Sequence, residues 1–311
     1  GGTLPLLGAG HRVGHGDTII LESCEYCNSF LSFFPTVAVI LNIEADHLDF
    51  FHDLEDVEHS FRTFADLVPE GGMIVANRDD ANTMHTLEGE QRPVLTFGLE
   101  EGDVHAANLT WEKGLPSFDV ICREHTFAHI SLRVPGLHNV KNALAAAAAA
   151  VALAVPARAV EEGLGAFRGA GRRFEHKGSY HGAEVYDDYA HHPGELRALL
   201  DTARSLGYER VICAFQPHTY SRTKALFDDF VEVLKKPDLT LLAEIFAARE
   251  TNEIGISSHD LAKKIPGSKY FATLDELAEY LKEIARPGDL ILTVGAGDIY
   301  TVGEELTGPD L

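Results

Sequence analysis

Two polar clusters stand directly behind apolar runs, where a catalytic group could be presented. Asn42-Ile-Glu44-Ala-Asp46-His47-Leu-Asp49 follows residues 37–41, and Glu22-Ser-Cys24-Glu25-Tyr-Cys27-Asn28-Ser29-Phe30 follows residues 18–21. A carboxylate and an imidazole at neighbouring strand ends can share one divalent cation. Mg2+ takes few protein ligands and leaves room for phosphate oxygens. Spacing alone does not separate this from a turn capped by Asp46 with His47 as a satisfied loop histidine. Cys24-x-x-Cys27 lacks the two further soft ligands of a zinc site, because Cys122 and Cys213 stand isolated. A redox pair is expected to open a helix in a thioredoxin-like setting, so buried or partly buried thiols are the plainer expectation.

Further clusters follow along the chain. Gly136-Leu-His138-Asn139-Val-Lys141-Asn142-Ala143 leads into an Ala-rich run, with Asn139 as the expected N-cap. His138 and Asn142 exceed what a cap needs, and amide side chains can read a purine edge. Gly171-Arg172-Arg173-Phe174-Glu175 sets two cations in an acidic chain, a pattern suited to phosphate or to a plain surface pair. Asp187-Asp188-Tyr189-Ala190-His191-His192-Pro193 and Gln216-Pro-His218-Thr219-Tyr220-Ser221-Arg222 each follow a strand-like run. Gly295-Ala-Gly297-Asp298 does too, but Tyr300 stands where a dinucleotide fingerprint needs its third glycine. Close approach to a ligand and a tight strand-to-helix turn both remain open there.

The elements that must position these groups alternate. Short apolar runs at 18–21, 37–43 and 73–76 read as buried parallel strands, with a helix over 54–67 whose Leu54, Val57, Phe61, Phe64 and Leu67 repeat at helical spacing. Residues 104–134 read as antiparallel hairpins, and 139–155 as an Ala-rich helix buried on several sides. Beyond a glycine-rich boundary at 165–171, strands are expected near 185–186, 210–215, 239–245 and 290–294. Helices are expected at 193–206, 223–234, 258–264 and 274–284. That alternation predicts a parallel sheet wrapped by helices, with ligands beyond the carboxyl ends of its strands.

Length and composition set the frame. The chain has 311 residues, enough for two domains. Hydrophobic residues are 45% and charged residues 24%, which excludes a disordered chain or a coiled coil. Lys plus Arg is 26 and Asp plus Glu 48, so the net charge is 26 − 48 = −22. Such a surface repels nucleic acid and anionic membrane, so no partner of either kind is expected. The most apolar run, 143–155, is too short for the ~20 residues of a membrane span. Four cysteines form no disulfide framework, and the cytoplasm is the expected location. No basic region precedes an apolar stretch near the N-terminus, so no signal peptide is expected. The opening Gly1-Gly2-Thr3 without Met suggests a piece of a longer chain.

Taken in order, Asn-Ile-x-x-Asp46-His47-Leu-Asp49, Gly136-x-His138-Asn139-x-x-Asn142, Gly-Arg172-Arg173-Phe-Glu and Asp187-Asp188-Tyr-Ala-His191-His192-Pro resemble the Mur ligase family, the ATP-dependent amide-forming enzymes of peptidoglycan synthesis. The resemblance covers nearly the whole chain. It implies an α/β fold: a P-loop-type central ATP-binding domain over 1–170, incomplete at its N-terminal side, with a mainly parallel sheet. A C-terminal Rossmann-like α/β domain over 171–311 would bind the amino acid. Gln216 to Arg222 and the Gly297-Asp298 segment look most like the branch that couples L-alanine to UDP-N-acetylmuramate. The implied chemistry is phosphorylation of the lactyl carboxylate by ATP, then attack of the L-alanine amine on the acyl phosphate.

By motif position, Glu22 and His47 would hold Mg2+. His138, Asn139 and Asn142 would lie near adenine, Arg173 near the ATP phosphates and Asp188 near the ribose. Tyr189, His191 and Arg222, with His218 beside them, would face the amino acid and the reacting carboxylate. No group is assigned as the base. The chain departs from the family in lacking its Gly-Lys-Thr phosphate loop and the N-terminal domain that holds the UDP-sugar. Turnover by the 311 residues alone is therefore not expected, and apolar surface should be left uncovered where the missing domain would pack. Thr219 replaces an arginine of some relatives. No Lys between His47 and Met73 offers the carbamylated metal ligand of several sisters. The competing readings are the sister that attaches a recycled murein tripeptide to the same sugar, and a non-catalytic nucleotide-binding remnant.

Overall fold

A computed structural model describes residues 2–308 except 5, 6, 49 and 113; Asp49 of the Asp-His motif thus lies outside the described residues. The chain divides into two compact units, 13–168 and 169–311, the second also taking residues 2–12. Those first residues join the second unit where Gly171 N–H donates to Thr3 O at 2.7 Å.

The first unit is a six-stranded sheet in sequential order. Its elements are β1 (Val37–Ile40), α1 (Leu54–Asp66), β2 (Met73–Asn77), α2 (Ala81–Thr86), β3 (Val94–Gly98), β4 (Val104–Glu112), β5 (Leu115–Cys122), β6 (His125–Ser131), α3 (Leu137–Ala152) and α4 (Ala157–Ala166). Strands β1 to β4 pair in parallel, and β4, β5 and β6 form the expected antiparallel meander. The two faces follow from alternation along β2. Ile74 and Ala76 pack with Val57, Phe64 and Ala65 of α1, while Val75 packs with Val140, Ala143 and Leu144 of α3. Alanines let α3 lie close to the sheet, and Asn142 and Ala146 form its exposed stripe. Asp53 caps α1 by accepting the Asp56 N–H at 3.0 Å.

Residues 18–21, expected to be a strand, form none. Ile19 and Ile20 are 82% and 90% exposed. An apolar run becomes a buried strand only where a neighbour pairs with it, and the sheet ends at β1. On that edge Val39 and Leu41 also face outward, at 39% and 44% exposure.

The second unit contains β7 (Glu175–Tyr180), β8 (Ala183–Asp188), α5 (Pro193–Ser205), β9 (Arg210–Phe215), α6 (Tyr220–Ala225), α7 (Phe227–Val233), β10 (Leu239–Ala243), α8 (Ser258–Ala262), β11 (Lys269–Phe271), α9 (Leu274–Ile284), β12 (Asp289–Val294) and α10 (Tyr300–Thr307). Sheet order is β11-β10-β9-β12-β8-β7, parallel throughout except β7 against β8. The chain winds from β8 outward to β11 with α5, α7 and α8 on one face. It then returns through α9, on the other face, to insert β12 between β8 and β9. Right-handed crossovers in opposite directions require opposite faces. The reversal opens a crevice at the carboxyl ends of β8, β12 and β9, the place where such sheets bind ligands. The helix expected over 223–234 is two helices, broken at Leu226 (φ −109°, ψ 25°).

Candidate functional site

In the first unit the loop after β1 is pinned to the end of β2. Asn77 Nδ2 donates to Leu41 O and Asn82 Nδ2 to Ile43 O, both at 2.8 Å. Asp80 Oδ1 accepts the Ile43 N–H at 3.2 Å while also capping α2 through Thr83. The loop therefore presents His47 from a fixed base. His47 has a left-handed backbone (φ 54°), and its N–H donates to Asp46 Oδ1 at 2.7 Å, so Asp46 does brace the turn. The His47 ring is not consumed by that turn. Its Nε2 lies 3.5 Å from Glu25 Oε1 and 3.8 Å from Asp46 Oδ2, and Tyr26 packs on it at 4.6 Å between centroids.

Glu25 is thus set against His47; the expected Glu22 lies three residues earlier, exposed and with an interaction of its own. The turn into a 3-10 helix (Tyr26–Ser32), anchored by the Ser60 hydroxyl donating to Asn28 Oδ1, positions Glu25 there. Cys24 and Cys27 are exposed, contrary to the buried or partly buried thiols expected.

Helix α3 begins at the same rim, because Lys141 Nζ pairs at 2.9 Å with Asp79, two residues beyond β2. Its N-cap is Gly136 (φ 99°) rather than Asn139. Asn139 sits inside the first turn and donates from Nδ2 to Pro135 O at 2.7 Å. His138 is half-buried and Asn142 exposed; a spacing of four residues places them on one helix face. Asn77-Arg78-Asp79-Asp80 was overlooked in the sequence, although it is a polar cluster directly behind a strand.

In the second unit the rim is braced by Arg172. Its guanidinium donates to Asp187 Oδ2 at 2.9 Å, to Gly297 O at 3.1 Å and to Gly295 O at 2.6 Å, and lies over the rings of Tyr189 and Tyr300 at 4.9 and 4.6 Å. Arg172 therefore ties the ends of two neighbouring strands, β8 and β12, together. Arg173 extends toward solvent, 52% exposed, 5.7 Å above Tyr189 and 3.5 Å from Glu195. Of the two cations, Arg173 is the one left in position for an anion.

Asp188 is turned inward. Its carboxylate accepts the Phe174 N–H at 2.7 Å and the Ala190 N–H at 2.8 Å, and burial pushes it up to about 6. Burial also raises Asp187, against the pull of Arg172. His191 N–H donates to Glu195 Oε2 at 2.9 Å, and the His191 and His218 rings meet edge-on at 5.9 Å. Burial would raise Glu195, but His191, its N–H and Arg173 outweigh burial and hold it low. His192, with Glu195, forms the capping box of α5.

His218 stacks on Phe246 at 5.7 Å, and its Nδ1 lies 3.3 Å from Arg222 NH1. Arginine only donates, so Nδ1 must accept and the neutral ring carries its proton on Nε2. Burial first, then His191 and Arg222, push His218 down to about 4. The segment that carries it is held by the loop after β10. Thr219 N–H donates to Phe246 O at 2.9 Å, and Glu250 accepts the N–H groups of Tyr220 and Ser221 at 2.7 and 3.0 Å. Thr219 is held at φ 67°, ψ 145°, a costly conformation for a β-branched residue. Phe246 and Glu250 were missed in the sequence; their signal is Glu244-Ile-Phe246-Ala-Ala-Arg-Glu250 directly behind a strand.

The glycines of 295–298 answer to packing. A Cβ on Gly295 (φ 148°) would meet Gln216 O at 2.6 Å, and one on Gly297 would meet Gln216 Oε1 and the Phe246 ring. Gln216 spans this turn, donating to Asp298 Oδ1 at 2.8 Å and accepting the Ile299 N–H at 3.2 Å. The tight-turn reading therefore explains these glycines.

Comparison with known proteins places both units in one family. Residues 11–150 match the Mur ligase middle domain, and residues 172–297 match the family described as Mur ligase, glutamate ligase domain. A UDP-N-acetylmuramate–L-alanine ligase of Caldanaerobacter subterraneus subsp. tengcongensis is 45% identical over 98% of this chain and 68% of its own length. A crystal structure of the UDP-N-acetylmuramate–alanine ligase MurC from Thermotoga maritima superposes with a TM-score of 0.71 at 27% identity, over 90% of this chain and 60% of that one. The MurF ligase of Thermotoga maritima in complex with ADP shares the fold, with a TM-score of 0.69 at 18% identity over 88% and 63% of the two chains. The chain thus spans about 68% of that curated relative and 60% of the solved MurC chain. By both domain matches and the 45% identity, the chain belongs to the Mur ligase family, of which it carries the middle and C-terminal domains.

Proposed function

We propose that the chain works, within a polypeptide or assembly that supplies a phosphate loop, as an ATP-dependent ligase of peptidoglycan precursor synthesis in the cytoplasm. It joins L-alanine to the lactyl carboxylate of UDP-N-acetylmuramate through an acyl phosphate. The observation that carries this reading is the Glu25–His47 pair on a braced loop, at the rim where α3 presents His138 and Asn142. Among the described residues no three His, Cys, Asp or Glu side chains form a ready-made metal cluster. One carboxylate and one imidazole suit a Mg2+ ion that fills its remaining positions with phosphate oxygens and water. Such an ion neutralises phosphate charge; Glu25 and His47 would hold it.

The second unit supplies recognition and charge. Arg173 meets phosphate oxygens, and Asp188 shapes the nucleotide side by fixing the Phe174 and Ala190 amides. Tyr189, His191, His218 and Arg222 receive the amino acid and the reacting carboxylate. His218 is protonated only near 4, too weak a base to relieve an ammonium group at neutral pH. Its role is to donate from Nε2 beside the Arg222 cation, a pair suited to a carboxylate. The exposed edge of β1, with Val39 and Leu41, is where the strand bearing the phosphate loop would pair.

The test is phosphate release that depends on ATP, L-alanine and UDP-N-acetylmuramate. The 311 residues contain no Gly-Lys-Thr and should be inactive alone; joined to the phosphate-loop region of a relative, they should turn over. His47→Ala in the joined protein should lower kcat by about 100-fold or more. Brisk turnover by the chain alone, or an active His47→Ala protein, would overturn the reading.

A further inference from the structure

The Cys24-x-x-Cys27 pair is the one sequence motif that the ligase reading leaves unused. Both thiols are exposed, whereas Cys122 is half-buried and Cys213 buried. The chain between the two exposed thiols has the shape of a tight turn. Glu25 is right-handed helical (φ −72°, ψ −25°), and Tyr26 continues into the 3-10 helix that the pair opens. Two such central residues make a type I turn, which brings the Cα atoms at its ends within about 7 Å. A disulfide spans Cα separations of about 4.4–6.8 Å, a range that such a turn reaches. The turn is also defined from outside: Cys24 O accepts the Phe30 N–H at 2.9 Å and Glu25 O the Asn28 N–H at 2.8 Å. Cys27 and Asn28 follow in the left-handed region, at φ 54° and 56°.

We propose that Cys24 and Cys27 form a vicinal dithiol site that closes to a disulfide by exchange with a small-molecule disulfide. The thiolate of one cysteine attacks a sulfur of oxidised glutathione, and one glutathione leaves as a thiolate that takes up the released proton. The second cysteine thiolate attacks the mixed disulfide and expels the other glutathione in the same way. Two protein thiols are oxidised and one small disulfide is reduced to two thiols. Closure has a local consequence. Glu25 lies between the two cysteines, so a ring through Cys24 and Cys27 locks the turn from which its carboxylate meets His47. This rests on the turn and its exposure and stands whether or not the ligase reading does.

The test uses the 311-residue chain. Oxidised glutathione should remove the mass of two hydrogens from the wild type and leave no stable adduct. Cys24→Ser and Cys27→Ser should each retain one glutathione instead. Phenylarsine oxide, which bridges paired thiols, should bind one per wild-type chain and resist a monothiol wash, and either variant should lose it. The His47 ring resonance in NMR should shift on oxidation of the wild type and not in the doubly substituted chain. Two glutathione adducts on the wild type, no reaction, or arsenical retention by the single variants would overturn the dithiol. An unmoved His47 resonance after closure would overturn its link to the site.

Discussion

His218 offers the sharpest quantitative prediction, because three neighbours and its burial act in known directions. A free imidazole titrates near 6.5, and this one is pushed down to about 4. The gap of about 2.5 units corresponds to about 3.4 kcal/mol at 1.36 kcal/mol per unit. His218 sits half-buried at a rim, so solvent screening reduces what reaches stability to about 1–2 kcal/mol. The sign follows from proton uptake. Between pH 6.5 and about 4 the unfolded chain binds the proton and the folded chain does not. The contribution is therefore complete above pH 6.5 and is lost as pH falls toward 4.

Arg222→Gln separates the causes. Burial is the largest, with His191 and Arg222 behind it and Glu250 opposing. Removing the cation should lift the His218 midpoint by less than half of the gap to 6.5. An NMR titration of the ring proton in both proteins reads this directly. A wild-type midpoint above 6 would refute the buried, cation-facing placement of the ring. Full restoration to 6.5 in Arg222→Gln would show that charge, not burial, sets it.

Asp188 should behave oppositely with pH. Its folded value is raised to about 6, so its contribution to stability falls as pH rises from 3.8 to 6. Asp188→Ala should nonetheless destabilise the second unit by about 2–4 kcal/mol, since two N–H groups lose their acceptor. Hydrogen exchange at Phe174 and Ala190 should accelerate accordingly, and protection that survives would contradict the assignment. Gly297→Ala places a methyl group into Gln216 Oε1 and 2.7 Å from the Phe246 ring. It should cost about 2 kcal/mol or more, visible in urea unfolding of the second unit. In the joined protein, Glu25→Gln should weaken Mg2+-dependent nucleotide binding by about tenfold or more, as measured by calorimetry. An unchanged affinity would remove Glu25 from the cation site.

The sequence alone determined most of the second sheet. Residues 210–215 and 290–294 read correctly because central parallel strands are buried on both faces, and their runs are almost wholly apolar. The helix over 274–284 was legible for the same reason in reverse: one apolar stripe, Leu277, Ala278 and Leu281, repeats at helical spacing. The motifs from Asp46-His47 to His191-His192 were enough to point to the family, because their order is a property of the chain.

Which groups meet was decided only by tertiary structure. Residues 18–21 have the composition of a strand, but pairing needs a neighbour, and composition does not report one. Motif position points to Glu22, and only the 3-10 turn shows that Glu25 meets the His47 ring. Arg172 and Arg173 are adjacent and alike. The left-handed backbone at Arg172 (φ 58°) turns one guanidinium inward to brace Asp187, Gly295 and Gly297 and leaves the other outside. A hydrogen bond between residues more than a hundred positions apart leaves no mark on local spacing. Only the folded chain fixes which partner each member of a similar pair meets.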